Sequence, residues 1–115
     1  YCGLSAELRN GHFALKRIMC KDADKGEAES AEVVDELETR KYGAGARANY
    51  ETTLFVAIRC DKGAVCTLSY SSDGKKYKTV AQTFQAREGK WIGAKYGTFS
   101  IAPDKTSRGW VDVDR

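Results

Sequence analysis

The chain reads as an all-β protein, an antiparallel β-sandwich, on three observations. Apolar and polar residues alternate in short runs, so that side chains two apart face the same way, as in a half-buried strand. Turn dipeptides, Asn10-Gly11 and Asp73-Gly74, stand between such runs and supply the positive φ that a tight hairpin needs. The one stretch with helix-favouring composition, Glu27 to Glu38, has only a thin helical stripe of apolar residues. A length of 115 residues is one domain, 1–115, with a real but modest core.

In order, Tyr1 to Arg9 alternates, with Leu4, Ala6 and Leu8 on one side and Ser5, Glu7 and Arg9 on the other. After Asn10-Gly11, His12 to Cys20 returns, with Phe13, Leu15 and Met19 inward and Lys16 and Arg17 keeping part of the strand wet. Lys21 to Gly26 is a polar turn. Its Asp22 and Asp24 invite a calcium reading, but flanking lysines and the lack of a full set of oxygen ligands make a solvated loop the expectation. Glu27 to Glu38 is ambiguous. Acidic residues early, and Arg40 and Lys41 late, suit a helix dipole, whereas Ala28, Ala31, Val33, Val34 and Leu37 cover little of a helix. Tyr42 to Tyr50 is small and reads as a loop. Thr52 to Cys60 is a strand, and its nearly continuous apolar run predicts a central position covered on both faces. Cys66 to Ser71, the Asp73-Gly74 turn, and a return through Tyr77 and Val80 form another hairpin. Lys90 to Phe99 is a strand candidate with two internal glycines, the mark of a bulge or a close backbone approach. Pro103 to Arg108 is a polar loop, and Trp110, Val111 and Val113 make a last strand.

The second half also carries a resemblance. The runs YSSDGKKYKTV, FQAREGKWIGAKYGTF and the closing RGWVDVDR resemble the C-terminal accessory domain of family-43 glycoside hydrolases, the β-xylosidases, α-L-arabinofuranosidases and their relatives. Tyr70, Ser71, Asp73, Gly74, Phe84, Trp91, Gly93, Ala94, Lys95, Gly97 and Phe99 fall in order on that pattern. The resemblance implies a concanavalin A-like sandwich of jelly-roll type, seated behind a catalytic β-propeller that carries the catalytic acids. It also implies a strand at Glu27 to Glu38. The family's domain is longer, so the chain is expected to be a fragment lacking N-terminal strands, with an open sheet edge that a second copy could fill.

Charge and composition exclude several functions. The formal net charge is +3, with nineteen basic and sixteen acidic residues interspersed, so no clustered basic footprint for nucleic acid is present. No apolar run is long enough to span a bilayer. Neither GxGxxG nor GxxxxGK[ST] occurs, and nothing calls for a cofactor. Four cysteines, Cys2, Cys20, Cys60 and Cys66, match neither a zinc ribbon nor a CxxC motif. Cys60 and Cys66 flank the Asp61 to Ala64 turn and can face each other across a hairpin. Reduced, core-filling thiols and a disulfide are both open. Secreted, periplasmic and cytoplasmic placements are equally compatible with the sequence.

Glycoside hydrolysis needs two carboxyl groups, one with a raised pKa. Asp112 and Asp114 share one strand face as a pair, but a solvated face explains them more simply. His12, the only histidine, has no nucleophile or acid placed beside it by a motif. No catalytic residue and no metal ligand is assigned. Aromatic rings can stack on sugars, which makes Tyr70, Tyr77, Trp91, Tyr96 and Trp110 candidates, while Trp91 and Phe99 read as core. Tyr77, Trp110 and Tyr70 are the residues expected to contact carbohydrate or a neighbouring domain. Two readings follow: a non-catalytic module that packs on the propeller of a polysaccharide-degrading hydrolase, or a stand-alone module that binds xylan or arabinan oligosaccharides.

Overall fold

The computed structural model describes residues 1–86 and 97–98. Strand β1, Cys2–Arg9, pairs antiparallel with β2, His12–Met19, and β2 pairs in turn with β3, Ser30–Glu36. Asn10 and Gly11 both hold positive φ at the first turn, as the dipeptide predicts. A 3₁₀ turn, Ala23–Lys25, ends in a left-handed Gly26 and leads into β3. Within Glu27 to Glu38, Ser30–Glu36 is therefore a strand despite the helix-favouring composition, because β2 offers it a ladder of hydrogen bonds.

A second sheet is built on β7, Val65–Ser71. One of its edges pairs with β6, Phe55–Cys60, and the other with β8, Lys78–Thr79, and β9, Phe84–Gln85. β8 and β9 are two pieces of one broken edge, since the Val80 N–H continues the ladder to the Leu68 carbonyl at 2.8 Å. Met19 of the first sheet meets Cys66 and Phe84 of the second in a shared buried cluster, and Leu15 and Leu68 are fully buried. The sheets thus bury alternate residues against each other, as in a sandwich.

Four expectations change. Tyr42 to Tyr50 is not a plain loop: β4, Arg40–Tyr42, and β5, Asn49–Glu51, form a small antiparallel hairpin around a 3₁₀ turn, Gly45–Arg47. The strand expected over Thr52 to Cys60 is β6, and it is an edge of the described sheet rather than a covered central strand. All six of its residues are exposed, so its apolar run marks an uncovered surface. Arg17 is buried, not wet. The Asp73-Gly74 turn opens into a wider loop over residues 72–77, because Asp73 Oδ1 accepts from the N–H groups of Lys75 and Lys76 and so holds the chain in local turns before β8. The strand candidate at Lys90 to Phe99, the loop at Pro103 to Arg108 and the last strand at Trp110 to Val113 lie outside the described residues, save Gly97 and Thr98.

Arg17 lies between Leu15 and Met19 on the inner face of β2, and a bulge in β3 sets what it meets there. Leu15 faces Asp35 across the ladder, while Lys16 faces Val33, so Val34 is the extra residue. Cross-strand partners share a face, which puts Asp35 with Leu15 and Glu32 with Arg17. A regular strand places residues 32 and 35 on opposite faces. The bulge brings both acids to the inner one. Glu32 then ion-pairs with the guanidinium of Arg17 at 2.9 Å, leaving the Arg17 Nε without a hydrogen-bond partner.

Candidate functional site

The second acid of the bulge meets the second sheet. Cys66, Leu68 and Tyr70 alternate inward along β7, and the Tyr70 hydroxyl donates to Asp35 Oδ2 at 2.6 Å. The Lys78 ammonium approaches the same oxygen at 3.6 Å, and the Glu36 N–H donates to Oδ1 at 2.8 Å. With these partners, the Tyr70 hydrogen bond foremost, the Asp35 carboxyl is held below its ordinary range. Burial, and then the adjacent Asp35, push the Tyr70 phenol up to about 12. Tyr70 is half-buried and its hydroxyl is committed to the interior of the fold.

Beside this polar tie lies an apolar surface. Val56 and Ile58 of β6 pair with Tyr70 and Leu68, so they lie on the same, inner face of the sheet. Yet they are 43% and 38% exposed, so the described residues leave the core face of the sheet uncovered at its β6 edge. Phe55, also exposed, places its ring over Gly74 at the start of β6. The loop behind that ring is ordered by Ser71, whose Oγ donates to Asp73 Oδ1 and accepts from the N–H groups of Asp73 and Gly74. Tyr77, 46% exposed, closes the same loop. Tyr70 and Tyr77 therefore flank one end of the second sheet, Tyr70 within and Tyr77 outside. Trp110 lies outside the described residues, as do Trp91, Tyr96, Phe99, Asp112 and Asp114.

Among the described residues, no displaced carboxyl has the raised value of a general acid. Glu7, Glu27, Asp35 and Asp73, the described carboxyls that are displaced, all move down. Lys16 holds Glu7, the N–H groups of Asp22 and Lys21 hold Glu27, and those of Lys76 and Lys75 hold Asp73. A general acid for glycoside cleavage needs the opposite displacement. His12 is exposed and paired with Glu36, at the end of β2. Among the described residues no cluster of three His, Cys, Asp or Glu could hold a metal, and no helix is long and apolar enough to cross a membrane. An open depression of about 290 Å³ between the sheets is lined by Met19, Cys20, Glu27, Ser30, Thr83 and Phe84, among others. Among the described residues, no tyrosine or tryptophan lines it.

Sequence reading missed Asp35 and the open face of β6, and it took Arg17 as wet although Arg17 alternates in phase with Leu15 and Met19. A bulge has no signature in one sequence, and a continuous apolar run looks the same whether a layer covers it or leaves it bare.

No curated protein and no solved structure matches the chain significantly. A family model does: the beta xylosidase C-terminal concanavalin A-like domain, over residues 2–115. It spans the first half of the chain, where the resemblance rested on no motif, as well as the second. With two antiparallel sheets meeting across a shared core and a family match from end to end, the chain belongs to the C-terminal concanavalin A-like domains of family-43 β-xylosidases.

Proposed function

We propose that this domain is a non-catalytic accessory module of a polysaccharide-degrading glycoside hydrolase, packing against the catalytic β-propeller and helping to shape the mouth of its active site. The observation that carries the reading is the apolar row on β6. Val56 and Ile58 stand exposed on a core-type face, with no layer of the described residues over them. Exposed apolar surface of this kind marks an interface.

The test mixes the domain with a separately expressed family-43 propeller and follows association by sedimentation velocity. A complex is expected, weakened by Val56→Lys and by Ile58→Lys. Both residues are exposed, so the thermal midpoint should move little, within about 0.5 kcal/mol of stability. Absence of a complex, or one indifferent to both changes, would sink the reading.

A second reading, a stand-alone carbohydrate-binding module, is favoured by Tyr77 alone, an exposed ring beside a loop rich in hydroxyl and amide groups. Calorimetric titration with xylo- and arabino-oligosaccharides, run beside a reducing-sugar assay, separates the two. Binding without hydrolysis that disappears in Tyr77→Ala would establish the module. No binding would leave the accessory role.

A further inference from the structure

The cysteines fall into an arrangement that the proposed interface does not use. Cys60 ends β6, Cys66 lies near the start of β7, and the two are direct partners in the ladder. The Asp61 N–H donates to the Val65 carbonyl at 2.9 Å, so Asp61 and Val65 form a hydrogen-bonded pair. Pair types alternate along an antiparallel ladder, which makes Cys60 and Cys66 a non-hydrogen-bonded pair, the kind with the closer side chains. The sulfur atoms are 3.0 Å apart. Both thiols are reduced in this structure.

The turn between them is held from outside. Gly63 and Ala64 both have positive φ, a conformation that a non-glycine residue adopts only when its surroundings impose it. Here the Ala86 N–H donates to the Ala64 carbonyl at 2.8 Å, tying the tip of the hairpin to the end of β9. The two cysteine backbones are thus fixed opposite each other by the ladder on one side and a pinned turn on the other. A disulfide asks for close, facing Cβ atoms, and a non-hydrogen-bonded pair supplies them.

Exposure separates the roles of the two sulfurs. Cys66 is buried against Met19 and Phe84, whereas Cys60 is exposed and so does not serve as a small core-filling residue. Cys2 is half-buried beside Cys66 and interacts with it, making it the competing partner.

We propose that Cys60 and Cys66 form an oxidisable dithiol, a site that takes a small-molecule disulfide and closes to a cross-strand bond between β6 and β7. The exposed Cys60, as thiolate, attacks one sulfur of the small disulfide. A mixed disulfide forms, and one small thiolate leaves and takes up the proton that Cys60 lost. Cys66 then gives up its proton and attacks the Cys60 sulfur, and the second small thiol departs with that proton. Two protein thiols are oxidised by two electrons, and one small disulfide is reduced to two thiols. Burial, and then Cys60 itself, push the Cys66 thiol up to about 12, so the second step is the slow one at neutral pH. Closure fastens the exposed edge strand to its neighbour at the end remote from Phe55.

The experiment treats the reduced full chain with oxidised glutathione, blocks remaining thiols with iodoacetamide and digests with trypsin. Cleavage after Arg59, Lys62 and Lys75 places the two cysteines on separate peptides, 60–62 and 63–75, unless a disulfide joins them. The joined pair, two hydrogens lighter than the reduced peptides, is expected, with undiminished yield in Cys2→Ser. In denaturant, at the same glutathione ratio, closure should fall roughly tenfold, because the folded hairpin supplies the alignment. A glutathione that stays on Cys60 overturns the proposal. So does a Cys2 to Cys66 bond in its place, or equal closure in the unfolded chain.

Discussion

Tyr70 donates its phenolic hydrogen to Asp35 across 2.6 Å, and the two residues belong to different sheets. The contact exists because a bulge at Val34 turns Asp35 inward while Tyr70 follows Leu68 along the inner face of β7. It lies next to the uncovered face of β6, where Val56 is the ladder partner of Tyr70. Sheet packing and the proposed interface are therefore joined at one residue.

Removing the hydroxyl in Tyr70→Phe should cost about 1.5 kcal/mol, the usual scale for a hydrogen bond to a charged group. Asp35→Asn should cost less, since an amide can still accept from the phenol. Urea unfolding of both single variants and the double variant checks this. Additive effects would show that the contact carries no coupling.

The same pair predicts two pH limits. Tyr70 has a folded value of about 12 against 10.0 unfolded, so its contribution is complete below pH 10 and is lost as pH rises toward 12. Asp35 is displaced downward, so its contribution is present above its unfolded value of about 3.9 and is lost as pH falls through the depressed folded value. Urea midpoints of the parent and Tyr70→Phe should differ at neutral pH and converge above pH 10. A constant gap through that range would contradict the assignment.

Arg17→Met should be close to neutral, within about 1 kcal/mol, although the guanidinium is buried and paired. Its Nε has no partner, and the methionine stem can lie where the arginine stem does. Glu32→Ala should be the more harmful change, by about 1 kcal/mol, because it strands a buried cation. The loss stays small because the Glu32 side chain is 63% exposed and the pair is partly screened. Thermal denaturation ranks the two variants. The reverse order would mean that Arg17 contributes by more than its charge.

Gly74→Ala faces two obstacles. Its φ is +75°, and a Cβ there would lie 3.1 Å from the Phe55 ring. A loss of about 1–2 kcal/mol is expected. In a Phe55→Ala background the steric part vanishes and only the conformational part remains, so the double variant should be less unstable than the sum. An additive result would show that the ring yields freely.

Much of the fold was legible in the sequence because strand alternation and turn chemistry are local. Asn10-Gly11 predicted the first hairpin, and the Asp61 to Ala64 turn allowed Cys60 and Cys66 to face each other, as they do. For Glu27 to Glu38, composition argued for a helix, and the resemblance argued correctly for a strand. The candidate contacts were less legible. An aromatic side chain reads the same whether its ring faces solvent, as at Tyr77, or its hydroxyl is spent on an internal acid, as at Tyr70.

By itself, then, the sequence determined the all-β class, the first hairpin and the family, since each depends on neighbours along the chain or on an ordered set of residues. Only the tertiary structure decided which strand faces which. It set Glu32 against Arg17 and turned Asp35 to Tyr70, because a single extra residue at Val34 exchanges the faces of the residues around it, and it left β6 exposed among the described residues, because an apolar strand is covered only if another layer reaches it.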